Sequence, residues 1–285
     1  LLQGSSVKSL TFLGDMFDGV QCPCILLQLV ATGKPLSTVG MRIEDRTRTF
    51  IIAMERTVVP ENFSFRMTDE EYRVLEKIKN SIPVCYLADH ADFALGIVTG
   101  NNKKFLSTEK TEHSEMVLKG TDICKYHINP AKQYLRFEPE QFQQVAPLEI
   151  YRAPEKLLYR FISNQLVVAY DDRQMLSLNS CNIVIPKIEG MQIKYILAIL
   201  NSSVSQFVYQ KEFHSIKVLR AHMEHIPIPR VGKAIQNEII AMTEPLIHGM
   251  GKEAAETCQK RLDCRIMDLF RLSAEEQWII RHALH

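Results

Sequence analysis

Between Val84 and Ile185 the chain repeatedly gathers a few apolar residues and then breaks the run with Gly, Asn, Asp, Ser or Pro. Phe93–Thr99, Lys104–Leu106, Ile123–His127, Leu157–Ile162, Leu166–Tyr170 and Asn182–Ile185 are each too short for a stable helix. Segments of this kind bury their apolar side chains by pairing into sheets. Ser163-Asn164, between two such runs, predicts a two-residue hairpin turn.

The flanks read differently. Val20–Val30 is nearly all apolar, as in a strand buried on both faces, and Thr32-Gly33-Lys34-Pro35 breaks it. Val39–Ile43 and Thr49–Met54 follow as further strands. Thr68 with Glu71 forms a capping box ahead of a helix with Tyr72, Leu75 and Ile78 on one face. Ile193–Tyr209 has helical period, and Pro227-Ile228-Pro229 is an extended stop. Ala234–Ile247, Lys252–Phe270 and Ser273–Ala283 predict closing helices, the last behind a second capping box of Ser273 and Glu276. The expected architecture is α+β in three parts: residues 1–83, strands and a helix; 84–230, a strand-rich domain; 231–285, a helical tail.

Composition narrows the function classes. The chain has 285 residues, 46% of them hydrophobic, enough for one large core or two ordinary ones. A net charge of +1 excludes a strongly basic coating tail and an acidic solvating tail. The middle, residues 96–220, nevertheless carries 16 basic against 12 acidic side chains. No apolar run approaches the ~18 residues of a membrane span. Seven cysteines without a charged-then-apolar leader read as reduced thiols in a cytoplasmic protein. The chain opens at Leu1 in mid-pattern, which reads as an excerpt of something longer.

Most catalytic signatures are missing. None of the 12 glycines builds a phosphate loop or a dinucleotide fingerprint, and Gly249–Gly251 suits helix termination. Cys22-Pro23-Cys24 has no second ligand pair at finger spacing and reads as core. His222 and His225 lack a third ligand and read as surface or capping residues. No Asp or Glu has a Lys two positions on, so the tail of a restriction-type nuclease motif is absent.

A series of motifs does speak. Gly96-Ile97-Val98-Thr99-Gly100-Asn101-Asn102, Leu157-Leu158-Tyr159-Arg160 with Val168-Ala169-Tyr170-Asp171-Asp172, Leu200-Asn201-Ser202, Ile226-Pro227-Ile228-Pro229, and Leu269-Phe270-Arg271-Leu272-Ser273-Ala274-Glu275-Glu276 occur in this order. The series resembles the TaqI-like C-terminal specificity domain, the target-recognition module of N6-adenine DNA methyltransferases and fused type IIG restriction-modification enzymes. Phe270 and Arg271 stand where such proteins usually have Tyr-Gly. Residues 1–83 resemble, more weakly, the last strands of a methyltransferase catalytic domain, through Phe17-Asp18-Gly19-Val20. The chain carries no Asn-Pro-Pro-Tyr or Asp-Pro-Pro-Tyr, the motif that grips a flipped base.

The resemblance implies recognition of double-stranded DNA without catalysis by this fragment. The parent would be an adenine-specific DNA methyltransferase, with or without endonuclease activity, whose upstream domain binds S-adenosylmethionine and flips the target adenine. The rivals are a separate restriction specificity subunit and a protein-interaction scaffold. Within the module, Thr99, Gly100, Asn101, Asn102, Lys103 and Lys104 form a turn suited to phosphates and adenine edges, or an ordinary solvated hairpin. Arg136, Arg152, Arg160 and Arg173 are candidates for guanine, or protectors of strand edges. Lys211, Lys217 and Arg220 suit phosphate contacts, and Asp171-Asp172 suits a turn.

Overall fold

The computed structural model describes residues 4–19, 22–34, 37–57, 65–213 and 215–284. These form an α+β molecule of two compact units, residues 1–76 with 211–213, and residues 77–210 with 214–285.

In the first unit β1 (Ser5–Asp15), β2 (Pro23–Ala31), β3 (Arg42–Glu44) and β4 (Thr49–Ile51) make one sheet in the order β2-β1-β3-β4. Leu10 of β1 stands opposite Leu27 in an antiparallel pair and opposite Ile43 in a parallel one. Val7, Leu10, Met41, Ile43, Ile52 and Phe65 form the core on one face. The apolar run around β2 does not have the expected double burial, and its Val20 lies outside the described residues. Ile25, Leu26 and Val30 are 54%, 61% and 43% exposed. The reason is what covers it: of the β2 side chains only Leu29 packs against the core of the unit, and as the outer strand β2 pairs with β1 on one side only. Cys22 and Cys24 are correspondingly exposed and half-buried rather than core. Helix α1 (Asp69–Asn80) begins with the expected capping box: Thr68 N donates to Glu71 Oε2 at 2.8 Å, and Glu71 N to Thr68 Oγ1 at 3.2 Å.

In the second unit come β5 (Val84–Cys85), β6 (Ala91–Ala94), α2 (Asn102–Phe105), β7 (Leu106–Ser107), β8 (Glu115–Leu118), β9 (Gln133–Leu135), α3 (Leu148–Tyr151), β10 (Lys156–Arg160), β11 (Val168–Asp171), β12 (Leu176–Ser177) and β13 (Cys181–Pro186). One sheet runs β11-β10-β13-β6 and a second β12-β8-β9-β7. Their facing residues, among them Leu158, Ala169 and Ile183 from the first and Val117, Leu135 and Leu176 from the second, share one apolar core. Gly96 permits a close crossing there, since a Cβ would meet the Leu178 carbonyl oxygen at 2.1 Å.

Helices α4 (Ile193–Asn201) and α5 (Ser203–Glu212) replace the single helix expected over Ile193–Tyr209. The break at Ser202 follows from Asn201. Its side-chain amide donates to Val168 O at 2.8 Å and accepts from Val168 N at 3.1 Å, pinning the helix end to the outer edge of β11. With α4 packed on β10 and β11 and the second sheet beneath, β10 is buried on both faces, hence its continuous apolar run. The β10–β11 loop is wider than the two-residue turn expected. Phe161–Ser163 pair instead with residues 216–218, Ser163 N donating to Ile216 O and Val218 N to Phe161 O. Helix α6 (Arg220–Glu224) and β14 (Ile228–Pro229), paired with β5, lead to α7 (Lys233–Ile247), α8 (Lys252–Leu269) and α9 (Ala274–Ala283). The α9 capping box of Ser273 and Glu276 is formed. Among the described residues no helix is long and apolar enough to cross a membrane.

Candidate nucleic-acid interface

The register of the second sheet gathers cationic side chains at one of its ends. Lys103 and Lys104 lie in α2, immediately before β7. Leu106 pairs with Leu135, so Arg136 follows β9 at the same end, opposite Phe105. Leu135 also pairs with Glu115, the first residue of β8, and β8 runs parallel to β12. The turn holding Arg173 and Gln174 enters β12 and therefore opens there too. Arg152 joins the two strand starts: Nη2 donates to Glu115 Oε1 at 2.6 Å and Nη1 to Gln174 O at 2.7 Å. Five of the cations singled out from sequence thus converge from distant parts of the chain.

Their electrostatic states differ. Arg136 is exposed but paired with Glu138 at 2.8 Å, and Arg152 is half-exposed and doubly bonded. Lys103, Lys104 and Arg173 are exposed and have no carboxylate partner among the described residues; the Lys104 ammonium sits 4.6 Å from the Phe105 ring centroid. Such cations keep their full charge toward an incoming anion. Glu115 and Glu138, which hold two of the arginines, escaped the sequence reading: Glu115 reaches Arg152 from 37 residues away, whereas Glu138 lies only two residues beyond Arg136 and its pairing was open to a local reading. Gln143 was missed as well: it lies beside Gly100, 3.4 Å from where a Cβ would be.

The Thr99–Lys104 turn is more committed than its sequence suggests. Gly100 adopts φ +76°, a left-handed value that favours glycine. Asn101 caps α2, its Oδ1 accepting from Lys104 N at 3.2 Å. Asn102 Oδ1 accepts from the buried Thr99 Oγ1 at 2.6 Å. One lone pair of each asparagine oxygen is therefore spent, whereas a bidentate grip on adenine uses the whole amide edge. Their amide nitrogens remain for single contacts.

Other candidates fall elsewhere. Arg160 is at the opposite end of β10, where Nε donates to Gly120 O at 3.0 Å and Nη2 to Ile123 O at 2.5 Å. Its fork is spent on backbone carbonyls, and the expectation that it reads guanine is corrected to a structural role. Lys211 is 7% exposed and its ammonium bonds Glu71 Oε1 at 2.8 Å within the first unit, so the expected phosphate contact is corrected in the same way. Lys217 and Arg220 are exposed, but apart from the sheet-end cluster; Arg220 is bound to Glu224 at 2.7 Å. Asp171 does form a turn, accepting from Arg173 N and Met175 N, and is fully buried against Lys156 Nζ at 2.6 Å. His222 caps α6, its Nδ1 accepting from Leu219 N.

Comparison with known proteins agrees with the motif series. Residues 115–228 match the TaqI-like C-terminal specificity domain. No curated protein matches the sequence. Among solved structures, 99% of the chain superposes on the Type IIL restriction-modification enzyme MmeI in complex with DNA, with a TM-score of 0.59 and 10% identity, over 45% of that enzyme's length. Looser likenesses are to the HsdS subunit from Thermoanaerobacter tengcongensis (TM-score 0.39, 14% identity, 76% of this chain and 50% of that one) and to the type IIG restriction endonuclease BpuSI (TM-score 0.40, 10% identity, 93% and 43%). At these identities the likeness is one of fold. The chain spans less than half the length of MmeI.

Proposed function

We propose that this chain is the double-stranded DNA target-recognition module of a restriction-modification protein, and that the end of the second sheet is its DNA-facing surface. The observation that carries the reading is the convergence of Lys103, Lys104, Arg136, Arg152 and Arg173 inside and beside the segment that matches a specificity domain. Lys103 and Lys104 then neutralise phosphates and set register, while Arg173 is free to approach a base edge. Arg136 and Arg152 reach DNA only by exchanging Glu138 and Glu115 for it, so both act as conditional contacts. Exposed Lys217 and Arg220 would contribute phosphate contacts outside this cluster.

The modification is methylation of adenine N6, and S-adenosylmethionine and the catalytic groups belong to an upstream methyltransferase domain that this chain serves as partner. The first unit would be the edge of that domain, and the parent would work in the cytoplasm. Our test is the Lys103→Ala/Lys104→Ala double variant. It should bind every duplex more weakly, with a salt slope shallower by up to about 2. Duplex binding unchanged in strength and salt slope would contradict the assignment, and an interaction scaffold would show no salt-sensitive affinity at all.

A further inference from the structure

A second cationic site lies away from the sheet end, among the helices of the second unit. Lys125, Gln165, Ser203, Gln210, Lys260 and Arg281 line part of a cleft of about 590 Å³, with Asp263 in its wall. Three separate elements supply its three cations: the loop after Ile123, α8 and α9. Elsewhere in the molecule buried and half-buried cations meet carboxylates, as in Arg56–Asp69, Lys77–Glu276, Lys156–Asp171 and Lys194–Glu244. Half-buried Lys125 and the exposed Lys260 and Arg281 make no ion pair among the described residues. The Lys125 ammonium donates to the carbonyl oxygen of Asn201 at 3.2 Å. Arg281 Nη2 meets two sulfur atoms and the Gln277 Oε1 at 3.2 Å. Lys260 is exposed and makes no ion pair among the described residues.

The one acid in the wall does not fill the gap. The Asp263 carboxylate spends its bonds on Ser203, accepting from its N at 2.8 Å and its Oγ at 2.9 Å, and among the described residues no cation lies within ion-pair distance. Burial pushes the Asp263 carboxyl up and the Lys125 ammonium down, so both feel a poorly solvated setting. Beside Lys125, Tyr126 is held left-handed at φ +75° by backbone bonds to Val168 and Tyr170. Its buried hydroxyl has no hydrogen-bond partner among the described residues. The single bridge of Tyr126 to β11 anchors the backbone beside Lys125.

Three converging cations against one internally bonded carboxylate leave an excess positive charge in a concave, partly dry site. We propose that this cleft takes a single phosphate group, held by Lys125, Lys260 and Arg281 with the Gln210 and Gln165 amides as further donors. A phosphate of a DNA backbone and a free phosphoester share that chemistry. The proposal stands on the cleft alone and does not depend on the sheet end reading sequence.

The test compares the 285-residue chain with its Lys260→Gln/Arg281→Gln variant and with Arg265→Gln. Arg265 lies on the same helix as Lys260 but is bound to Glu238 outside the cleft. Each is titrated with inorganic pyrophosphate by calorimetry, and with a random-sequence duplex by fluorescence anisotropy at about 50 and about 200 mM salt. The double variant should lose tenfold or more in affinity for at least one ligand while Arg265→Gln does not. Weaker duplex binding with a salt slope shallower by about 1 identifies a backbone phosphate. Weaker pyrophosphate binding alone identifies a free phosphoester. If the double variant melts early, Lys260→Gln, which removes an exposed side chain, gives the same readout. Wild-type affinity for both ligands in the cleft variants, or no binding of either by the wild-type chain, overturns the proposal. Duplex binding without sequence preference would count against target recognition and leave the cleft untouched.

Discussion

Arg160 and Arg173 differ in what their guanidinium groups touch, and that decides what each substitution should do. Arg160→Ala strands the Ile123 carbonyl and leaves Gly120 O with the Ile123 N–H alone, and should cost about 1–3 kcal/mol in urea unfolding, with sequence preference kept. Arg173→Ala should leave unfolding nearly unchanged and relax preference at one base pair, read by competition between duplexes that differ there. The buried Lys156–Asp171 pair is a different case, with neither side chain exposed to solvent. Lys156→Met leaves Asp171 charged and buried, and should cost about 3–5 kcal/mol. Glu71 adds a pH dependence in the first unit. Burial raises its pKa, but bonds from Arg48, Lys211 and the Thr68 amide outweigh it and hold the carboxyl below its usual value. A depressed carboxylate contributes stability above its unfolded pKa of about 4.3 and loses it as pH falls through the lower native value. Urea midpoints should therefore fall more steeply below about pH 4.3 for the native chain than for Glu71→Gln.

At the scale of elements, the join of α4 to β11 rests on one amide. Asn201→Ala would leave the buried Val168 N–H unpaired, while Val168 O keeps the Tyr126 N–H, and should cost about 1–3 kcal/mol in unfolding. Strand β2 raises the opposite question, because its apolar side chains face water. Leu26→Lys/Val30→Lys should reduce concentration-dependent association in light scattering, with unfolding shifted by no more than about 0.5 kcal/mol. These elements also show what the sequence could and could not reveal. Both capping boxes were legible because Thr68–Glu71 and Ser273–Glu276 are decided within four residues. The long strand β1 was not read, since Ser, Lys, Thr and Gly dilute its apolar residues. Strands β8, β9 and β12 were not read either; each is two to four residues held by partners far along the chain. The solvent exposure of β2 was illegible for a related reason, since composition records what a strand is suited to and not what covers it. In the candidate site, the charged residues were visible one by one. Their convergence, and the Glu115 carboxylate that already occupies Arg152, depend on sheet register, whereas the Glu138 carboxylate on Arg136 is a local pairing.

For the whole molecule, the division of labour follows from where unpaired charge is left. On the proposed reading the sheet end would offer Lys103, Lys104 and Arg173 to a duplex, and the helical cleft would offer Lys125, Lys260 and Arg281 to a single phosphate. With a net charge of only +1, attraction to DNA must come from such local concentrations rather than from the field of the whole chain. The measurement that tests this most directly is selection of bound duplexes from a randomised DNA pool, run at low and at physiological salt. Target recognition at the sheet end predicts an enriched motif a few base pairs long that contains an adenine and that loses one specified position in Arg173→Ala. Retention of duplexes at neither salt would contradict it.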